Sequence, residues 1–512
     1  MSTGADTFDG IWRRTVETHG ASPFLLFRAE SGETTTWTYA EFDDVVGRVA
    51  ASLAAAGVGP GSAVHLVLRN SPVFVAAWLA TSRLGAWMVP VDPASAARDI
   101  RTQVRRVRPA VSIVAAARAA AFTEAAAGEV PVVVEVAEDA SDLDPAAPLL
   151  QGAGTPEAHA VDAGARIAVM FTSGTTSEPK GVELTQANYV SVARTMAAAA
   201  GLQARHRWYV TLPLFHANAQ YYCFAPAILT GASVALTATF SASRWVPVAR
   251  ELGVTHASLF AAPIRMILAR CPAGEEPLAL EHVWFAQSLG AQHHRAFGDL
   301  VGTLPRQLYG MTETVAVVTA DTSNPPAHDV IGPPVPGRAV RLVGIDGEDV
   351  PDGTAGEIWV RGRRGDDLFA GYLDAPEINA RVFTPDGAET WFHTGDLAVR
   401  AGNGALRFVG RVDDVIKVAG ENVSLTEVEA AAAEAPGVLE VAVVAQPDPV
   451  RDQVPVAYVV PKDPSAPPSP EVLDEWAAHH LAPAARPRAW HFIDELPRTS
   501  VGKVRRFRIT AG

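Results

Sequence analysis

The chain has 512 residues, 48% of them hydrophobic, with 42 Lys and Arg against 56 Asp and Glu, for a net charge of −14. That length supplies more than one core, since domains commonly run to about 100–200 residues. The acidic balance excludes nucleic acid or an anionic membrane surface as the main partner, because both demand a basic footprint.

No apolar run approaches about 18 residues, and Met1 to Gly10 has no basic start followed by an apolar core, so neither a membrane span nor a signal peptide is expected. The two cysteines, Cys223 and Cys271, make neither a paired framework nor a metal-ligand spacing, which suits a reducing cytoplasm.

In chain order, apolar residues recur at helical spacing from Thr38 to Ala56, with Thr38 as N-cap and Gly57 as the stop. Val64 to Leu68 reads as a buried strand, Pro72 to Leu84 as a helix, and Trp87 to Val91 as a strand. Strands at Ser112 to Val114 and Val132 to Val136 continue an alternation that builds a parallel sheet. Residues 137–164 are acidic, aperiodic and proline-containing, a loop.

An apolar run then delivers Val169-Met170-Phe171-Thr172-Ser173-Gly174-Thr175-Thr176-Ser177-Glu178-Pro179-Lys180-Gly181. Glycines let backbone N–H groups approach an anion, the hydroxyls of Thr172, Ser173, Thr175 and Thr176 add donors, and Lys180 adds a mobile charge. This chemistry suits a nucleoside triphosphate, although Pro179 before the lysine and Gly181 after it depart from the Walker pattern. A flexible polar turn is the alternative. Only four lysines occur, Lys180, Lys417, Lys462 and Lys503, so nearly all positive charge is arginine. A lysine retained against that bias marks a place for a compact ammonium rather than a planar guanidinium.

Asn188 to Ala200 is helical, Tyr209 to Thr211 a strand, and Phe224 to Leu229, Val234 to Leu236 and Trp245 to Leu252 extend the alternation into a second sheet. Beyond Asn324, short alternating strands such as Ala339 to Val343 and Gly356 to Val360, with Asp-Gly pairs between, predict a β-rich subdomain. From Gly410, a helix at Thr426 to Ala435, strands at Val441 to Ala445 and Val456 to Val460, and a linker from Pro461 to Pro470 make a small α+β domain.

Five motifs in order resemble the acyl-adenylate-forming enzymes, a family that includes acyl-CoA synthetases, adenylation domains of peptide synthetases and luciferases. They are TSGTTSEPKG, YGMTET (309–314), WFHTGDL (391–397), GRVDDVIKVAGENVSLTEVE (410–429) and LPRTSVGKVRR (496–506). LPLFHANAQ (212–220) with GENVSLTEVE looks most like the CoA-ligase branch of crotonobetaine/carnitine type. The resemblance implies an α/β fold: a large N-terminal adenylation domain, residues 1–410, of two layered sheets plus the β-rich subdomain, and a small mobile C-terminal domain, 411–512.

It further implies that ATP is held by the 172–180 loop with Lys180, by Tyr309, Gly310 and Met311 at the adenine, and by Asp396 on the ribose, with Arg411 and Lys417 beside the nucleotide. Thr312 would meet the α-phosphate and Glu313 would ligate Mg²⁺. From the residues alone, Thr312 and Glu313 equally suit a helix-capping pattern, Asp396 an Asx turn, Arg411 with Asp413 and Asp414 a surface charge cluster, and Lys503 a tail lysine. In the family, Lys503 would reach the attacking carboxylate. Asp413 would be the hinge, and Gly420, Glu421 and Asn422 would line a thiol channel after rotation. His216 would be a gate between the ATP and acid pockets, with Asn218, Gln220, Tyr221 and Cys223 towards the acid. Gln287 would line the acid pocket too, in Phe285 to Leu289 where many relatives carry a glycine-rich turn, so that bulkier side chains there would shorten the pocket or add a hydrogen-bonding wall.

The chemistry implied is an ATP-dependent acid:CoA ligase acting on a small, polar or aromatic acid, with CoA as co-substrate. Loading of a carrier protein, acylation of an amine, or activation of another oxyanion such as nitrite stays open, as does a homodimer. A regulator that has lost catalysis is disfavoured by the joint presence of Lys180, Glu313, Asp396, Arg411 and Lys503.

Overall fold

The computed structural model describes residues 7–152, 160–172, 179–272, 274–497, 504 and 506–509. The loop residues Ser173, Gly174, Thr175 and Thr176, and Lys503, lie outside the described residues.

Two large sheets carry the first part of the chain. One has seven strands, with Ala63–Val67, Trp87–Val91, Val111–Ala115 and Val132–Val136 pairing in parallel. Towards one edge it includes a hairpin of Arg166–Thr172 and Lys180–Thr185, in which Thr172 pairs with Lys180. The sequence predicts the outgoing strand of the phosphate loop; the antiparallel return strand is an addition. The other sheet has eight strands and takes Pro23–Arg28 and Thr34–Thr38 from the start of the chain beside Ser233–Thr237, a pairing some 200 residues apart in sequence that local pattern does not reveal.

Thr38 caps the helix Tyr39–Ala55 through a reciprocal capping box with Glu41. The helix Pro72–Arg83 is apolar on nearly every side, as a helix enclosed on all faces must be, and every residue from Pro72 to Ser82 is buried. One core runs from the Phe8, Trp12, Phe24 and Phe42 cluster through Trp78 and Tyr189 to Tyr309 and Phe392, joining both sheets and the subdomain.

The β-rich subdomain is a five-stranded sheet containing Ala339–Val343, Ala355–Gly362, Glu389–Arg400 and Leu406–Arg411. A short 3₁₀ turn, Val412–Asp414, leads into a further five-stranded sheet with its own core of Val428, Val443, Val459 and Leu473. Among the described residues no helix is long and apolar enough to cross a membrane.

At the opposite strand ends from Tyr309 the eight-stranded sheet holds three histidines side by side. His206 and His256 lie 4.4 Å apart by ring centroid and His256 and His282 5.7 Å, with Glu281 3.2 Å from His206 Nε2. Burial, reinforced by the neighbouring histidine charge, holds His256 at about 4 and His282 at about 3, despite Glu281 near His256; Arg306 lowers His282 further. Both are neutral in the fold but titrate near 6.5 when unfolded, so their contribution is complete above that pH and is lost as pH falls through 6.5 towards 4. Each should then cost about 1.4 kcal/mol per pH unit. We expect Tm to drop steeply between pH 6.5 and 4.5, and a His256→Gln variant to show a shallower drop; parallel Tm profiles would refute this.

Candidate active site

Strand Arg306–Tyr309 ends at the middle of the site. Tyr309 is buried and donates its hydroxyl to Asp396 Oδ2 at 2.8 Å. Gly310 follows because a Cβ there would stand 2.8 Å from Tyr222 Oη. The 3₁₀ turn Thr312–Thr314 is closed by Met311 N donating to Thr314 Oγ1 at 3.0 Å, leaving Met311 and Thr312 partly exposed and Glu313 buried.

Asp396 sits on the strand Glu389–Arg400, opposite Arg411 on the neighbouring strand, and its Oδ1 is 3.7 Å from Arg411 Nε. Burial, then the Asp396 carboxylate, pushes the Tyr309 phenol well above its usual range and keeps it a donor. Burial acts against the Arg411 charge, but Asp396, Glu313 and Asp414 outweigh it and raise its pKa. A carboxylate fixed by a phenol on one oxygen and faced by a guanidinium is a pre-set acceptor for a vicinal diol.

Glu313 receives the hydroxyl of Tyr372 on Oε1 at 2.9 Å, and Lys180 Nζ lies over the Tyr372 ring, 5.2 Å from its centroid. The structure thus brings together Lys180, Tyr309, Glu313, Asp396 and Arg411 from four separate motifs. Three further residues join them that motif reading does not single out. Tyr372 is one. Arg106 is another, donating to the carbonyls of Pro179 at 3.0 Å and Leu373 at 2.8 Å. Arg338 is the third, donating to the carbonyls of Thr314 at 2.8 Å and Asp367 at 2.6 Å. Their signal is spatial: each ties loops far apart in sequence.

His216 lies half-buried against Phe215, ring centroids 4.7 Å apart, on a loop braced by Asn70, whose amide bonds Leu212 O, Thr237 O and Leu214 N. The following turn, Asn218–Phe224, is a π-helix, a distortion that tends to mark functional positions. Gln220 has both ends of its amide engaged inside the fold, by Tyr189 Oη at 2.5 Å and Leu214 O at 2.6 Å. Cys223 is packed in the core, its thiol pKa raised by burial. Asn218 Nδ2 donates to Ser258 Oγ at 3.0 Å, while Asn218 Oδ1 and Tyr221 Oη are buried without a hydrogen-bond partner among the described residues. Gln287 is exposed at φ +73°, its carbonyl held by Gln307 Nε2 at 3.0 Å, so the backbone adopts the left-handed turn that glycine would favour.

Lys417, Asp413, Gly420, Glu421 and Asn422 are all exposed, the last three at the tip of the hairpin between Val415–Val418 and Glu421–Ser424. The turn Val412–Asp414 that holds Asp413 packs beside the strand Glu389–Arg400 that carries Asp396.

A layered α/β body with this cluster of charged and phenolic side chains, followed by a smaller β-rich sheet, defines a two-part α/β architecture. The chain belongs to the AMP-binding enzyme family: the AMP-binding enzyme description matches residues 12–373 and its C-terminal domain matches 427–503. It is an AMP-forming ligase of the acyl-CoA synthetase kind. It is 34% identical to the sulfoacetate–CoA ligase of Cupriavidus necator, over 95% of this chain and 94% of that protein. Identity to the indoleacetate–CoA ligase of Aromatoleum aromaticum is 31%, over 92% of each. The crotonobetaine/carnitine–CoA ligase of Proteus mirabilis is 27% identical over 96% of this chain and 97% of that protein. In fold the chain matches the anthranilate–CoA ligase AuaEII in complex with anthranoyl-AMP, with a TM-score of 0.87 at 23% identity, covering 99% of this chain and 96% of that one.

Proposed function

We propose that this enzyme converts a small acid with a second polar group to its CoA thioester through an acyl adenylate. The observation that carries the nucleotide half is the joint cluster of Tyr309–Asp396–Arg411 and Lys180–Tyr372–Glu313. Asp396 and Arg411 would hold the ribose, Tyr309 the adenine side, and Lys180 with the 172–176 hydroxyls the departing pyrophosphate. Among the described residues no three His, Cys, Asp or Glu side chains are placed to hold a metal by themselves. A single buried Glu313 suits Mg²⁺, which takes most of its ligands from phosphate and water. When bound, Mg²⁺ would neutralise charge on the phosphates.

A carboxylate oxygen of the acid attacks the α-phosphorus and pyrophosphate leaves; a thiol sulfur then attacks the activated carbonyl and AMP leaves. The residues 1–410 and 411–512 would act as two bodies hinged at Asp413, which the Val412–Asp414 turn between two sheets supports. His216 would gate the acid pocket. For the acid, the buried Asn218–Ser258 pair with its open amide oxygen supports a polar far end rather than a fatty chain, since an unpaired buried polar group is costly. Sulfoacetate and carnitine, named for two relatives, are acids of that kind.

The test is ATP/pyrophosphate exchange over a panel of sulfonated, zwitterionic, aryl and short aliphatic acids, followed by AMP release with CoA. We expect exchange with one polar acid and CoA-dependent turnover. Exchange only with long-chain acids would overturn the acid class, and AMP release only with a carrier protein or an amine would overturn CoA as acceptor.

A further inference from the structure

Tyr372 lies in the centre of a segment that touches both charged ends of the phosphate-handling apparatus. Its two-residue strand, Gly371–Tyr372, pairs antiparallel with the strand that begins at Lys180, and Leu373 N donates to Gly181 O at 2.8 Å. On the other side Phe369 N donates to Glu313 O at 3.0 Å. The side chain repeats this bridge. Its hydroxyl donates to Glu313 Oε1 at 2.9 Å while its ring face lies beneath Lys180 Nζ at 5.2 Å.

The bridge is held from outside by two groups. Asn379 satisfies both backbone groups of Tyr372, accepting from its N–H at 2.7 Å and donating to its carbonyl at 2.9 Å. The Arg106 fork pins Pro179 and Leu373, the neighbours of Lys180 and Tyr372, to one guanidinium. With the backbone locked and the phenol 6% exposed, the hydroxyl fixes the rotation of the Glu313 carboxylate before any nucleotide arrives. An ammonium over an aromatic face is held by the ring quadrupole yet keeps its hydrogen-bond donors for an anion.

We infer that Tyr372 is a positioning residue that orients Glu313 for the metal of Mg·ATP through its hydroxyl and seats Lys180 for the phosphates through its ring. This deepens the nucleotide half of the proposed function and rests on it. The two parts of the side chain therefore have separable effects.

The test is ATP binding by titration calorimetry on the full chain, with no acid and no CoA, across a Mg²⁺ series and in EDTA. Tyr372→Phe keeps the ring and should raise the Mg²⁺ concentration for half-maximal ATP binding about tenfold, the scale of removing one supporting hydrogen bond from a metal ligand, with ATP affinity in EDTA unchanged. Tyr372→Leu should show the same rise in the Mg²⁺ required and also weaken binding in EDTA severalfold. In a Glu313→Gln background, Tyr372→Phe should have no further effect on the Mg²⁺ series, which packing alone would not produce. Wild-type Mg²⁺ dependence in Tyr372→Phe, or an equal loss in both backgrounds, overturns the assignment. A failure of the proposed acid class leaves these measurements intact, whereas a wild type that binds no ATP removes the nucleotide reading and this inference with it.

Discussion

Glu313→Gln is expected to lower acid-dependent ATP/pyrophosphate exchange by about 10²–10³-fold, the usual cost of removing one preorganised charge partner in an active site, while leaving Tm unchanged or slightly raised. The two effects separate because the substitution is nearly isosteric. The amide oxygen still accepts the Tyr372 hydroxyl, and Phe369 N still meets the backbone carbonyl of residue 313. What disappears is a negative charge only 5% exposed, close to Tyr221 and Tyr372. A buried carboxylate is expensive to keep ionised, so its removal relieves the fold even as it takes away the group suited to Mg²⁺. The partial loss of attraction for Arg411 works in the opposite direction and limits the gain. Exchange rates and Tm on the same preparations decide it: wild-type exchange would remove Glu313 from the site, and a large fall in Tm would show that its charge holds the fold together.

Much of the scaffold is written locally. Trp87–Val91 and Val132–Val136 have the bounds that β-rich runs between breakers predict, and Thr38 caps its helix through Glu41 as the Thr-x-x-Glu spacing requires. The pairing of Pro23–Arg28 with Ser233–Thr237 is different in kind, because nothing in either stretch names its partner. The π-helix at Asn218–Phe224 is also hidden, since it follows neither the helical nor the strand period. Asp396 and Arg411 are legible as motif residues, but their opposition across two strands is a matter of register, and the bulge at Leu397 and Ala398 lies beside that pairing. Tyr372 escapes for a simpler reason. Its neighbours in AGYLDAPE carry no cluster of chemistry-bearing groups, and its partner Glu313 is 59 residues away.

Lys503→Ala should divide the reaction in two. Lys503 itself lies outside the described residues, but the chain three positions later is anchored: Arg506 donates to Asp414 Oδ2 at 2.9 Å and pairs with Glu429. Arg506 thus ties the end of the chain to Glu429 on the helix Leu425–Ala432, which packs on the small sheet, and to the turn at 412–414. A charge delivered on one body to chemistry held by the other can serve one step and be withdrawn for the next. We propose that, as the family resemblance implies for Lys503, the adenylation step needs its ammonium against the charge that develops between carboxylate and α-phosphate, and the thiol step does not. Exchange in the variant should therefore fall by about 10²–10³-fold. Thioester formation from supplied acyl adenylate and CoA should stay within a few fold of wild type. Equal losses in both half-reactions would place Lys503 in a structural role, and no loss in either would leave adenylation to Lys180 and Arg411. The predicted asymmetry is the one result that requires both the tether at Arg506 and a turn at Asp413 that lets the tethered segment leave.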